Sequence, residues 1–145
     1  MEPVVITRRV QLDLSPADLW ERISRASGLE SWLADRVDVD LRPGGSGSMR
    51  DGDVTRDMRV TAITPDRRVE FTWWDRDDPS TPSHVTLEVE RVADMTSRLT
   101  VTETLLGHGS QRADATADAS IAWEVRVMSL WACTVVAALV PGTAM

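Results

Sequence analysis

The apolar residues of this chain follow two different periods, and the change between them limits the possible folds more than any other feature. Up to Glu103 they alternate with polar residues in short segments, as at Val37, Val39 and Leu41. Such alternation is typical of half-buried β-strands. From about Ser110 they recur at spacings of three and four, which indicates an α-helix. The sequence therefore predicts an α+β fold with six or seven strands followed by a long C-terminal helix.

Two short helices are predicted after the first strand. That strand covers residues 4–14, and the break in its alternation at Arg8 and Arg9 indicates a bulge. Ser15 is a good N-cap, and Pro16 suits the first helical position because its missing N–H is not needed there. Gly28 should end this helix and separate it from a second helical turn at Leu29, Trp32 and Leu33.

The predicted C-terminal helix is apolar on nearly all sides. Two stripes follow from the spacing: the first is Ile121, Val125, Met128, Ala132, Val135 and Leu139, and the second is Trp123, Val127, Leu130, Trp131 and Ala138. A helix of this kind should be covered on more than one side, as by a curved sheet wrapped around it. The uncharged run over residues 127–140 is shorter than the roughly 20 residues of a membrane span, so we expect a buried helix.

Composition disfavours several classes of function. The length of 145 residues suits a single domain over residues 1–145. The net charge of −7 disfavours a nucleic-acid partner, because phosphate binding needs a basic surface. The single cysteine, Cys133, excludes an internal disulfide framework. The first residues lack the charged and apolar segments of a signal peptide, so we expect a cytoplasmic protein.

The motifs that would hold a cofactor or a metal are incomplete. The glycine-rich segment 44–47 has no following lysine, as a phosphate-binding loop requires, and Arg50 stands where a dinucleotide fingerprint needs glycine. A tight turn between strands explains this segment better. His84 and His108 have no cysteine pair or second histidine at zinc-ligand spacing. We therefore predict no cofactor and no metal.

Glu103 is the candidate functional residue with the clearest physical argument. Its alternation with Leu99 and Val101 directs it towards the interior. A buried carboxylate must be paired, hydrated or protonated, and desolvation would raise its pKa as in a general acid or base. Glu103 could therefore be a structural carboxylate bonded to an arginine or to backbone N–H groups, or a polar anchor or acid/base group in a cavity. No other catalytic residue is predicted.

The aromatic composition points to a binding cavity. The chain has six tryptophans, one phenylalanine and no tyrosine. Large aromatic walls with few polar groups are typical of a pocket for an apolar or aromatic molecule, although the same side chains could simply fill a core. Trp74 should face outwards. The predicted ligand-binding residues are Trp32, Met58, Trp73, Glu103, Trp123, Met128 and Trp131.

An ordered set of fragments over nearly the whole chain resembles the START-like SRPBCC superfamily. The fragments are Ser15–Trp20, Trp32-Leu33, Asp40–Gly45, Phe71-Thr72-Trp73 and Thr100–Glu103. The branch that is most similar contains the C-terminal domain of the activator of the heat-shock-protein-90 ATPase. The resemblance implies a helix-grip fold, in which a curved antiparallel sheet wraps around the C-terminal helix and leaves a cavity between them. The usual family ending Glu-x-Gly-Phe is replaced here by Glu103 followed by Thr104-Leu105-Leu106-Gly107.

The resemblance implies three alternative functions. The first is binding of a hydrophobic or aromatic small molecule in the cavity. The second is an enzyme similar to polyketide cyclases or dehydratases that uses Glu103, with Arg59 or His108 assisting only if the strand register differs from the predicted one. The third is a homodimeric or co-chaperone-like interaction module, which Trp74 and the apolar end of the last helix would favour.

Overall fold

The computed structural model describes residues 4–106 and 112–138 of the chain. Within these ranges it has seven strands and three helices, which confirms the predicted α+β class. In chain order they are β1 (Val4–Leu12), α1 (Pro16–Ser24), α2 (Ala26–Glu30), β2 (Arg36–Val39), β3 (Ser46–Asp51), β4 (Val54–Thr64), β5 (Arg68–Asp75), β6 (Asp78–Ala93), β7 (Thr96–Leu105) and α3 (Arg112–Ala138).

The strands form one antiparallel sheet in the order β1-β7-β6-β5-β4-β3-β2. Strands β2 to β7 are neighbours in sequence order, and β1 joins the far edge beside β7. The short helices α1 and α2 make the connection from β1 to β2 across the sheet. This is the helix-grip architecture that the family resemblance implied, with α3 on the inner face of the sheet.

The start of α1 follows the predicted capping pattern. Ser15 Oγ accepts a hydrogen bond from the backbone N–H of Asp18 at 3.1 Å, and Pro16 occupies the first turn. Leu19 and Ile23, four residues apart, are fully buried. A capped helix with one apolar face therefore packs against the sheet from its first turn onwards.

The predicted bulge in β1 is wrong. Strand β1 pairs with β7 from Val4 to Leu12 without a shift in register. Arg8 is an inward-facing position of the unbroken alternation, and its guanidinium donates hydrogen bonds to the hydroxyl of Ser120 on α3 and to the carbonyl of Thr7. The polar Arg8 at an inward position was interpreted as a break in the strand because its partner, Ser120, lies on a helix that is distant in sequence.

The glycine-rich segment forms the tight connection between β2 and β3. Gly44 has φ of +83°, a conformation that favours glycine. A Cβ atom at Gly45 would collide with the carbonyl oxygen of Asp40. The backbone packs too closely there for a side chain, so the segment is a structural turn, as expected.

Only one side of α3 is covered within the described residues. Trp123, Val127 and Leu130 face the sheet and are buried. On the opposite side of the helix, Ile121 is 63% exposed and Val125 is 62% exposed. The prediction that this helix is covered on more than one side is therefore wrong, because a single sheet contacts only one side of it. In the described part of the chain, no helix is long and apolar enough to cross a membrane.

Candidate functional site

Glu103 lies in the interior between the sheet and α3, as predicted. Its side chain projects from β7, and the residue is 4% exposed. Oε2 accepts a hydrogen bond from Nε1 of Trp73 on β5, and Oε1 accepts one from Nε1 of Trp123 on α3, each at 2.8 Å. Glu103 thus has a defined partner for each oxygen, although neither partner is the arginine or backbone group expected.

Trp73 and Trp123 form a stacked pair beside this carboxylate. Their ring centroids are 5.8 Å apart with an interplanar angle of 24°, and Phe71 meets Trp73 edge to face at 5.4 Å. Both tryptophans are almost completely buried. The backbone of α3 comes closest to β1, at the edge of the sheet. Large side chains bridge the wider separation between α3 and β5.

Arg126 brings a positive charge into the same interior region. It follows Trp123 by three residues on α3, and only 6% of it is exposed. Its guanidinium carbon lies 4.8 Å from the ring centroid of Trp123 and 5.3 Å from that of Trp73, within cation–π range. Burial, and then the nearby charge of Arg56, lower the pKa of Arg126, while Asp51 and Glu103 act in the opposite direction.

The hydrogen bonds of Arg126 are incomplete. Nη2 lies 3.4 Å from Oδ2 of Asp51, which is a long contact to a side chain that is 45% exposed. Nε is buried and has no hydrogen-bond partner among the described residues. A buried donor without an acceptor costs roughly 1–3 kcal/mol. This arrangement is therefore unusual for a purely structural side chain.

Arg56 lies between this region and the protein surface. It is half-buried on β4, and its guanidinium carbon is 4.8 Å from the ring centroid of Trp73. Among the described residues its side chain has no ion pair within 4.0 Å. We refer to Asp51, Arg56, Glu103 and Arg126 as the inner charged cluster. It extends from the buried carboxylate to the partly exposed end of β3.

The structure brings together four of the seven predicted ligand-binding residues. Trp73, Glu103 and Trp123 are joined by hydrogen bonds, and Met58, 1% exposed, pairs with Trp73 across β4 and β5. Trp32 is also buried, but its indole donates to the carbonyl of Arg22 at 3.0 Å. It therefore joins α1 to the segment after α2 and is not part of the hydrogen-bonded group around Glu103.

The predicted inward positions of Met128 and Trp131 are wrong. These side chains are 54% and 43% exposed. At about 100° per residue, Met128 is turned roughly 140° from Trp123, and Trp131 about 80°. Arg59 is also exposed, on the outer face of β4. It is therefore unavailable to the interior.

The remaining candidates lie elsewhere. Trp74 is partly exposed on the outer face of the sheet, where it lines an open groove with Thr72 and Arg76. His108 lies outside the described residues. In residues 4–106 and 112–138, no three histidine, cysteine, aspartate or glutamate side chains come together to hold a metal.

Three members of the inner charged cluster were not predicted from the sequence. Arg126 shares the buried side of α3 because it follows Trp123 by three residues, and Arg56 shares the inner face of β4 because it precedes Met58 by two. Asp51 follows the buried Met49 in the same way. Following each period through charged positions as well as apolar ones would have found all three.

A seven-stranded antiparallel sheet that holds a C-terminal helix on its inner face defines a START-like, helix-grip protein. The family model described as "Activator of Hsp90 ATPase homolog 1-like protein" matches residues 13–133. The chain belongs to this family. No curated protein matches the chain in sequence.

Solved structures share this fold at low sequence identity. MLL2253 from Mesorhizobium loti is 20% identical with a TM-score of 0.72, over 88% of this chain and 93% of that protein. The Aha1 dimer from Colwellia psychrerythraea is 21% identical with a TM-score of 0.65, over 90% and 96% of the two chains. DynU16, from the dynemicin biosynthetic locus, is 19% identical with a TM-score of 0.73 over 87% of this chain. This chain spans only 45% of DynU16.

Proposed function

We propose that the protein binds a hydrophobic or aromatic small molecule between the sheet and α3, against Trp73 and Trp123. The observation that carries this proposal is the buried Arg126, whose Nε lacks an acceptor among the described residues although its guanidinium lies over two indole rings. Charged groups without complete hydrogen bonding are rarely retained inside a core for stability alone. Aromatic walls with a few converging polar groups are the usual construction of a small-molecule site.

Binding requires the side chains that cover Trp73 to move. Arg56 and Arg126 lie over its ring, so a ligand that stacks there must displace at least one guanidinium. Arg56 is half-buried and without an ion-pair partner among the described residues, so its displacement breaks no salt bridge. Its long side chain can reach solvent while its methylene groups remain packed. The site therefore opens by rearrangement of side chains on a fixed sheet.

Native mass spectrometry of gently purified protein tests for a retained molecule, and a titration with 2-naphthamide tests the site directly. Trp73→Leu removes one aromatic wall and should weaken 2-naphthamide binding by roughly tenfold. Trp131→Leu is the matched control, because this tryptophan is on the exposed side of α3 and should leave the affinity unchanged. No retained molecule together with no binding of 2-naphthamide would overturn the proposal, as would equal effects of the two variants.

A catalytic role for Glu103 is less well supported than binding. Both of its oxygens already accept a hydrogen bond from an indole N–H group. We expect this carboxylate to orient the two tryptophans and not to transfer protons. A cyclase or dehydratase on this scaffold would need further acid or base groups, and the one other carboxylate of the inner charged cluster, Asp51, lies at its exposed end.

A second proposal concerns the exposed side of α3, which we infer to be the interface of a homodimer. Ile121, Val125, Met128 and Trp131 form the exposed stripe of α3, with exposures between 43% and 63%. Contiguous exposed apolar side chains typically mark an interaction surface. The solved relative from Colwellia psychrerythraea is itself described as a dimer. A second copy of the chain is therefore the occupant that we propose.

Light scattering coupled to size exclusion tests this second proposal. We expect a dimer for the natural chain and a monomer after Val125→Ser combined with Met128→Ser. Val92→Ser is the control, since Val92 is 45% exposed on β6, away from this stripe, and should leave the dimer intact. A monomeric natural chain at high concentration would contradict the proposal.

A further inference from the structure

We propose that the ligand carries an anionic group, of carboxylate type, which Arg56 and Arg126 bind together. This inference rests on the proposed function and adds the chemical class of the ligand. Both guanidiniums lie over the same ring, at 4.8 Å and 5.3 Å from the centroid of Trp73. Two positive charges are thus gathered at one wall of the same site.

The contacts among the described residues leave both arginines without a close ion pair. Glu103, the buried carboxylate of the inner charged cluster, has both oxygens occupied by indole N–H groups. Arg126 has one long contact to Asp51, and Arg56 has no ion pair among the described residues. The cluster contains anions, but none of them forms a close ion pair with either guanidinium.

The free edge of Arg126 matches a carboxylate. Nε and Nη2 lie along one edge of the guanidinium plane, and two parallel hydrogen bonds from such an edge are the preferred geometry for an entering carboxylate. Within the described parts of the chain, Nε has no acceptor, and Nη2 has only Asp51 at 3.4 Å. A bound carboxylate would give Nε an acceptor and would replace the contact between Nη2 and Asp51. Asp51 is exposed enough to be released into solvent.

An anion at this position would also relieve an unfavourable interaction. The pKa of Arg126 is lowered by its burial and by the charge of Arg56, which means that both disfavour the charged form. A negative group placed between the two guanidiniums would offset the repulsion from Arg56 and would compensate for the burial of the charge on Arg126. The exposed end of the cluster at Asp51 gives such a group a route from the surface.

The experiment compares 2-naphthoate with 2-naphthamide, which have the same shape and differ in charge. In the natural protein, 2-naphthoate should bind roughly tenfold more tightly or better. Arg126→Gln and Arg56→Gln should each remove most of this preference. Arg59→Gln is the matched control, because Arg59 is on β4 like Arg56 but is exposed on the outer face. It should keep the preference intact.

The outcomes separate this inference from the function on which it rests. Equal binding of the two probes, or a preference that survives both inner variants, overturns the anionic group while leaving hydrophobic binding in place. No binding of either probe overturns both. If Arg126→Gln fails to fold, Arg56→Gln still decides the matter, because Arg56 is half-buried and its loss breaks no ion pair in the described part of the chain.

Discussion

Trp123 donates its indole N–H to Oε1 of Glu103 at 2.8 Å, which ties α3 to β7. The other oxygen of the same carboxylate accepts the indole N–H of Trp73 on β5. One side chain thus joins two strands that are not neighbours and the helix that they hold. The orientation of both indole rings depends on this carboxylate.

Replacing Glu103 with glutamine should destabilise the protein by about 2–3 kcal/mol, because the amide offers one acceptor oxygen to two buried N–H donors. Urea unfolding followed by circular dichroism measures this change. Glu88→Gln is the control: Glu88 is paired with Arg68 at 2.8 Å but is 30% exposed, so its loss should cost under about 1 kcal/mol. Equal costs for the two variants would contradict the role given to Glu103.

The two tryptophans should be energetically coupled. In a double-mutant cycle of Trp73→Phe and Trp123→Phe, we expect a coupling free energy of at least about 0.5 kcal/mol, since both rings stack and share one carboxylate. Trp32→Phe combined with Trp73→Phe should instead be additive, because the Trp32 indole bonds the carbonyl of Arg22. Additivity in the first cycle would show that the two rings act independently.

The two methionines predicted to line the cavity should behave differently. Met58→Ala removes a buried side chain and should cost about 2–5 kcal/mol. Met128→Ala removes a side chain that is 54% exposed and should change the stability of the monomer by no more than about 0.5 kcal/mol. Thermal unfolding at a concentration below dimerisation distinguishes them. A large loss for Met128→Ala would mean that this side of α3 is covered.

The surface pair of Asp57 and Arg76 gives a pH-dependent prediction. The hydrogen bond from Arg76, 2.7 Å from Nη2 to Oδ1, holds the pKa of Asp57 below its ordinary value of 3.8. Since that value returns on unfolding, the stabilisation is complete above pH 3.8 and is lost as the pH falls through the lower folded-state pKa. The difference in unfolding midpoint between the natural chain and Asp57→Asn should therefore shrink in this range. A difference that grows on acidification would contradict the predicted direction of the pH dependence.

Much of the fold could be predicted because local patterns determine it. The alternation of β5, the Ser15 cap and the change to a helical period are each visible within a few residues. The sheet order and the side of α3 that is buried depend on distant contacts. Arg8 shows the difference: its position on β1 breaks the apolar pattern, and only the contact with Ser120 explains it.

The candidate site could be predicted only in part. Glu103 and Trp73 were found because each continues an alternation of apolar residues in its strand. Met128 was misplaced because α3 has two apolar stripes, and periodicity cannot say which one meets the sheet. Trp131 belongs to the stripe that does meet the sheet, but it lies at the edge of that stripe, about 80° from Trp123, and is 43% exposed. Arg126 was missed because a charged residue next to an apolar run was treated as the boundary of that run.

Binding between the sheet and α3 is tested most directly by a titration of ¹⁵N-labelled protein with 2-naphthoate, observed at the six indole N–H signals. Trp→Phe variants assign each signal. We expect the signals of Trp73 and Trp123 to shift in a saturable way, while those of Trp32 and Trp74 stay fixed. If saturating probe leaves Trp73 and Trp123 unmoved, or shifts only the exposed Trp131, the interior between the sheet and α3 is not the binding site.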